Sequence, residues 1–400
     1  MKSKAVIFIL FVAVAAALLY VRSARKSPGV PGGAATPAAG AATGPHAPAT
    51  KITVLYSTEK HDWMNAVVDD FRTAHPDIEV ELIGKGSFES AQAILDGKLQ
   101  PTIWTPADSL ALKLLDDDWR TKTGAPMFAS DGDMAPQPLL LTPLVLVAWQ
   151  DRASVLLKAG KGALTWKTIR NALVSNRGWP AVGGKAEWGF VKLGHTDPTR
   201  SNSGMEALWS MTLEYFGHGK PVGVEQLLRP DYQSYLVGLE KGVTRFEPST
   251  GTFMIDMVRF GPSKYDMAVV YESLAITQIA NAQGRWGDLR VYYPQLTIWS
   301  DHPAAVLRAP WVTEAQRAAG STLVAYLRSR PVQERALSFG FRPADPAVPI
   351  KTKQADNPFT ALARYGLSAD LPPAAPTPDA AVVRNLMMLW SRLLGDTAQR

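Results

Sequence analysis

Between residues 52 and 109 the chain changes its hydrophobic period three times, each time in the same order. Ile52-Thr53-Val54-Leu55-Tyr56 alternates as a strand does. Ser57 and Thr58 close it, and residues 62–74 then carry Trp63, Val67, Val68 and Phe71 at helical spacing. Residues 78–83 read as a second strand, and the turn Gly84-Lys85-Gly86-Ser87 leads into a helix bearing Ala91, Ile94 and Leu95. Thr102-Ile103-Trp104 is a short third strand, ending at Thr105-Pro106-Ala107-Asp108-Ser109 before another helix. Strands that alternate with helices in this way lie parallel in one sheet, with right-handed crossovers. The expected fold class is therefore α/β.

The rest of the chain has room for a second unit, since 400 residues exceed one average domain. Residues 139–149 form an apolar run broken only by Thr142 and Pro143, long enough to pass between two lobes. Residues 165–174 and 203–216 read as helices, and 267–271 as a second buried strand that could be the return crossing. Residues 315–328 and 332–339 are helical. A closing helix over 381–394 places Val382, Leu386, Leu389, Trp390 and Leu393 on one face.

The amino terminus has another character. Lys2 and Lys4 precede an unbroken apolar run over residues 5–21, and Arg22, Arg25 and Lys26 follow it. A secretory signal has this layout, and a helix of that length spans roughly 25 Å, enough for a thin bilayer. Residues 1–26 are thus a signal peptide or an uncleaved signal anchor. The basic residues after the run would favour the cytoplasm for that end, so the case for export rests on the body. Residues 27–50 are rich in Pro, Gly and Ala and read as a flexible linker.

Composition removes several function classes. The chain has no cysteine, which excludes disulfides, thiolate metal sites, a cysteine nucleophile and a lipid-modified amino-terminal cysteine. The net charge of +6 is mildly basic, but no dense Lys/Arg cluster with interleaved aromatics points to nucleic acid. There is no Gly-x-Ser-x-Gly elbow, no His-Glu-x-x-His, no P-loop and no dinucleotide fingerprint, so no catalytic residue is assigned and no cofactor is implied. Asp116-Asp117-Asp118 reads as a solvated helix end, and Asp131-Gly132-Asp133 as a turn.

In an open α/β sheet, ligands bind beyond the carboxyl ends of strands, where helix amino termini present unpaired N–H groups. Three such turns hold Ser57 and Thr58, Ser87, and Ala107. The strongest local feature is Gly194-His195-Thr196-Asp197-Pro198-Thr199-Arg200-Ser201-Asn202-Ser203-Gly204, directly before a helix. Ser201, Asn202 and Ser203 suit cap positions, Gly204 would let a ligand approach the backbone, and Arg200 could add a charged contact. Phe246-Glu247-Pro248-Ser249-Thr250-Gly251 repeats the pattern with Thr250. Tyr271 stands at a strand end, where its hydroxyl could reach a cleft with Glu272 fixing it. All of these residues also fit plain helix capping, and His195 fits a loop brace better than a ligand contact.

These motifs together resemble the bacterial extracellular solute-binding proteins of the type 2 periplasmic fold. The chain is similar to the branch of molybdate- and sulfate-type receptors, including members associated with von Willebrand factor A-domain proteins. The resemblance covers residues 51–345 and rests on Ile103-Trp104-Thr105-Pro106-Ala107, the Gly194–Gly204 loop, Tyr265-Asp266, Tyr271-Glu272-Ser273, Tyr293-Pro294 and Gly340-Phe341-Arg342-Pro343-Ala344. It implies a two-lobed clamp joined by two hinge-crossing strands. One lobe would hold residues 51–143 and 275–365, the other 144–274, with 366–400 a carboxy-terminal extension outside the common pattern. It also implies a small polar or anionic ligand, held by hydroxyls and backbone amides at Ser57, Ser87, the Ser201 to Gly204 turn and Tyr271. The partner would be the membrane permease of an ABC-type importer, with the protein on the periplasmic or extracellular face of the membrane. The missing lipobox cysteine and the long tether also fit an envelope-anchored adaptor that kept the fold and meets an A-domain protein.

Overall fold

Hydrophobic alternation at Ile52 and Val54 drives the first strand, and both side chains are fully buried. The computed structural model describes residues 48–352 and 357–398. The apolar run and nearly all of the linker lie outside the described residues, and Thr50, expected to end the linker, already opens the first strand. In chain order come β1 (Thr50–Tyr56), α1 (His61–Ala74), β2 (Ile78–Gly84), α2 (Ser87–Leu95), β3 (Ile103–Thr105) and α3 (Ser109–Thr123). β4 (Gln137–Pro138) and β5 (Leu140–Trp149) follow, then α4 (Gln150–Ala159), α5 (Trp166–Leu173), β6 (Leu193–Gly194) and α6 (Asn202–Phe216). Next are α7 (Val224–Leu227), α8 (Pro230–Glu240), α9 (Thr250–Phe260), β7 (Met267–Tyr271), α10 (Glu272–Ala282), β8 (Leu289–Tyr292) and β9 (Trp299–Ser300). The chain ends with β10 (Pro303–Val306), α11 (Glu314–Leu327), α12 (Arg330–Ala336), β11 (Arg342–Pro343), α13 (Pro358–Ala361) and α14 (Ala380–Ala398).

The strands form two sheets. In the first, of order β2-β1-β3-β10-β4, β1 runs parallel to β2 and β3 as the alternation predicts, with Ile52 beside Val80 and Val54 beside Ile103. The second is built on β5, which pairs antiparallel with β7 from Leu144 opposite Tyr271 to Ala148 opposite Met267. β8, β9 and β11 also pair with β5.

Each sheet has its own core, as a two-lobed molecule requires. Trp63, Val67 and Phe71 of α1 pack on one face of the first sheet with Leu323 and Leu327 of α11, and Trp104, Leu110 and Leu114 cover the other face. Val145, Val147, Val269 and Tyr271 centre the second core, closed by α6, α8 and α10. A buried aliphatic or aromatic side chain of this kind contributes about 1.5–3 kcal/mol.

The chain leaves the first sheet between β4 and β5. β7 stays inside the second sheet, as do β8 and β9, and the chain rejoins the first sheet only between Ser300 and Pro303. All five residues of β7 are buried, whereas β9 and β10 are short strands without periodicity.

Residues 373–394 are fastened to the body. Thr297 N donates to the Pro373 carbonyl and Ala375 N donates to the Thr297 carbonyl, both at 2.7 Å. In α14, Val382, Leu386, Leu389 and Trp390 join the second core while Val383 joins the first lobe's, so one helix lies across both lobes. Its Arg384 pairs with Asp118 of α3 at 2.8 Å, and Trp390 Nε1 donates to Glu240 of α8 at 3.0 Å.

Candidate functional site

The strand-to-helix turns converge where the two sheets face each other, and almost every polar group there is buried. After β1 the backbone makes one 3-10 turn over Thr58–Lys60, which swings Lys60 back under Ser57. Ser57 does not cap the helix. Its hydroxyl donates to Glu59 and accepts from Lys60 Nζ, which also donates to the Pro106 carbonyl at 3.1 Å. His302 Nδ1 completes the group, 3.1 Å from Lys60 Nζ and 3.2 Å from Glu59 Oε1. Lys60 and His302 are fully buried. His302 also has φ 41°, a strained position for a non-glycine residue, at the point where the chain returns to the first lobe.

Burial sets the charges of this group. It pushes the Lys60 ammonium down to about 8, against the attraction of Glu59. Burial and the Lys60 charge hold His302 down to about 4, so the imidazole is neutral at pH 7. Burial works against the Glu59 carboxylate too, but His302, Lys60 and Ser57 outweigh it and hold the group down to about 2. A lysine near neutrality beside a serine could act as a base. Here the serine hydroxyl is already bonded to Glu59 and is 2 % exposed, so it does not present a nucleophile.

A second polar group comes from α6 and β7. Asn202 Nδ2 lies 2.8 Å from Glu206 Oε1, 3.2 Å from Tyr271 Oη and 3.4 Å from Ser300 Oγ. The Tyr271 ring meets His302 edge-on at 5.8 Å, which joins the two groups. Burial first, and the Asp108 charge second, raise the Glu206 carboxyl well above the usual range. Asp108 is itself raised to about 7 by burial and by Asp301, while its side chain caps α3 by accepting from Leu110 N at 2.7 Å.

Ser201, Ser203 and Thr250 form a third group. Their hydroxyls hydrogen-bond one another and Thr196, with Ser201 to Thr250 at 3.2 Å and Thr196 to Ser203 at 2.8 Å. The Ser87 hydroxyl accepts from Ala107 N at 3.0 Å and so ties two of the expected turns together. Thr58 lies beside Gly251, where an added Cβ would stand 3.0 Å from the Thr58 carbonyl.

Several expected roles differ. The amino terminus of α2 is not open to an anion, because Phe88 N and Glu89 N both donate to the Arg200 carbonyl of the other lobe at 3.1 Å. The Arg200 guanidinium points to Glu89, 2.8 Å away. Gly204 serves its own loop, since a Cβ there would meet the Thr196 carbonyl at 2.2 Å. Glu272 does not fix Tyr271. It forms a buried pair with Arg342 at 2.7 Å, accepts from Tyr293, and anchors the carboxy-terminal segment through Arg342 donating to the Ser368 and Ala369 carbonyls. His195 is a brace, with Nδ1 2.9 Å from the Thr196 carbonyl and Nε2 3.1 Å from Glu240.

Sequence reasoning missed Glu59, Lys60, Glu206, Ser300 and His302. A usable signal existed for two of them. Lys60 stands one turn beyond Ser57, and Glu206 is the single carboxylate in the apolar stretch that fills α6 from Met205 to Leu213. Among the described residues, Thr105 Oγ1, Asn202 Oδ1, Glu206 Oε2, Ser273 Oγ and His302 Nε2 are buried polar atoms of this region without a hydrogen-bond partner. Each such atom costs about 1–3 kcal/mol until something pairs with it.

Solved structures share this architecture. The sulfate-binding protein SubI from Mycobacterium tuberculosis superposes with a TM-score of 0.54 at 15 % identity, over 87 % of this chain and 99 % of that one. A periplasmic thiamin-binding protein gives 0.59 at 15 % identity, over 86 % and 96 %. Iron-bound HitA from Pseudomonas aeruginosa gives 0.53 at 16 % identity, over 86 % and 99 %. At such identities the likeness establishes the two-lobed fold alone. No curated protein sequence matches the chain. The sequence profile described as bacterial extracellular solute-binding protein matches residues 52–342, most of the folded body, and the chain belongs to that family.

Proposed function

We propose that the protein captures a small polar solute between its two lobes and presents it to an ABC-type permease. One observation carries the reading: Asn202 Oδ1, Glu206 Oε2 and His302 Nε2 are buried without a partner in the chain of contacts that runs from Lys60 through His302 and Tyr271 to Asn202 and Glu206. A solute there would pair groups that the protein alone leaves unpaired. Ser57, Lys60, Asn202, Tyr271 and Ser300 are the contacts proposed for it, and the passages at 138–140 and 300–303 are the proposed hinges. The protein is exported in this reading, with residues 5–21 holding it at the outer face of the membrane.

Native mass spectrometry of protein freshly isolated from its host tests this. A retained small molecule, lost on unfolding, is the expected result. A bare mass, together with no thermal shift across a panel of oxyanions, amines, sugars and carboxylates, overturns the reading.

A further inference from the structure

A cavity of about 190 Å³ opens beside Glu206. Its walls include Asp108 from the first lobe, Glu206 and Trp209 from α6, Trp299 from β9, and the carboxy-terminal segment 374–378. The segment is held over the cavity, because Trp209 Nε1 donates to the Pro376 carbonyl at 3.0 Å and Thr297 is bonded to it on both sides. No lysine or arginine lines the cavity among the described residues.

Glu206 decides what can enter. The residue is 2 % exposed, Oε1 is engaged by Asn202 and Ser300, and Oε2 has no partner. An ionised Glu206 leaves a buried charge uncompensated, and a protonated one leaves a donor unpaired. An anion in this space would face two carboxylates. A cation would pair with both and lie against two indoles, which attract positive charge. The volume is that of roughly six waters, which suits a group of a few heavy atoms. One side of Trp299 already lies near Arg342, whose guanidinium carbon is 5.7 Å from the ring centroid, so a cation is accepted on that indole elsewhere.

We propose that this cavity is a subsite for an organic ammonium group, an amine or quaternary ammonium ion held by Glu206 and Asp108 against Trp209 and Trp299. The proposal rests on the receptor reading above and names the charge of the solute.

The test is calorimetric titration of the full-length protein at pH 8 with choline, its neutral isostere 3,3-dimethylbutanol, and sulfate. Asp108, held up to about 7 by burial and by Asp301, is ionised at that pH. Choline should bind, the isostere should bind at least about tenfold more weakly, and Glu206→Gln should weaken choline by at least about tenfold, with indole fluorescence responding to choline alone. Asp108→Asn keeps a capping carbonyl on α3 and decides the matter if Glu206→Gln does not fold. Equal binding of choline and the isostere overturns the proposal, as does choline binding indifferent to both substitutions. Binding of sulfate without choline overturns it and leaves the receptor reading intact. Absence of binding by all three overturns it too, and the receptor reading is then judged separately by the retained-solute measurement.

Discussion

Gly86 offers a way to open the clamp without harming either lobe. Its backbone, at φ −57° and ψ 145°, is one that alanine adopts freely. A Cβ there would stand 2.7 Å from the Arg200 carbonyl oxygen and 3.2 Å from that of Pro248, and both belong to the opposite lobe. Such a contact has to widen by roughly half an ångström, and overpacking of this size costs about 1–3 kcal/mol. The penalty falls on the closed arrangement only. The same substitution reduces the freedom of the unfolded chain and stabilises it by about 0.4–1 kcal/mol. Gly86→Ala should therefore shift the closure equilibrium roughly 5- to 150-fold toward open and leave the melting temperature unchanged or slightly raised. The chain has no cysteine, so spin labels can be placed cleanly at Glu79→Cys and Lys185→Cys, exposed positions on opposite lobes. Pulsed electron resonance should report one short distance for the parent and a longer, broader population for Gly86→Ala. Gly251→Ala, facing the Thr58 carbonyl at 3.0 Å, should do the same more weakly. Superimposable distance distributions with Gly86→Ala would show that the lobes do not press together there.

Three further experiments test other parts of the molecule. His302 is held down to about 4 by burial and Lys60, from its ordinary 6.5, so the unfolded chain takes up its proton first. The stability this contributes is present above about pH 6.5 and lost as pH falls through about 4, to the extent of about 3 kcal/mol. His302→Gln should flatten the pH dependence of urea unfolding across that window, and an unaltered slope would count against the assignment. Arg342→Met leaves the Glu272 carboxylate buried without its guanidinium and should cost about 3–5 kcal/mol, partly restored by adding Glu272→Gln. A loss under about 1 kcal/mol in chemical denaturation would mean that the pair does not hold the carboxy-terminal segment. Trp390→Phe removes the N–H donated to Glu240 and should cost about 1–3 kcal/mol in thermal unfolding, with faster proteolytic cleavage inside α14. Cleavage at the parental rate would refute that anchoring role.

Local periodicity revealed β1, α1 and β2 to within two residues, because each carries its own apolar pattern. It failed at β9 and β10, where Trp299, Ser300 and the four residues from Pro303 have no period to read, and their placement depends on the pairing partner alone. The same division runs through the site. Ser57, Asn202 and Tyr271 were legible because strand-to-helix junctions are defined locally. The burial of Lys60 and Glu206 was harder to read, because the partners that enclose them are distant in the chain, Pro106 and His302 for Lys60 and Ser300 for Glu206. Glu272 was misread for the same reason, since its true partner, Arg342, lies 70 residues further on.

The helix that spans both lobes changes what the clamp is good at. To open, the molecule must pull Val383 out of the first lobe's core and break Arg384 from Asp118, or else tear the larger apolar face of α14 off the second. Freeing one buried valine alone requires about 1.5–3 kcal/mol, which slows escape roughly 10- to 150-fold if it occurs on the way to opening. In the proposed clamp the extension would therefore act as a latch on time. Under the proposed capture of a solute it would lengthen the dwell of the bound molecule and make release depend on whatever lifts the last helix.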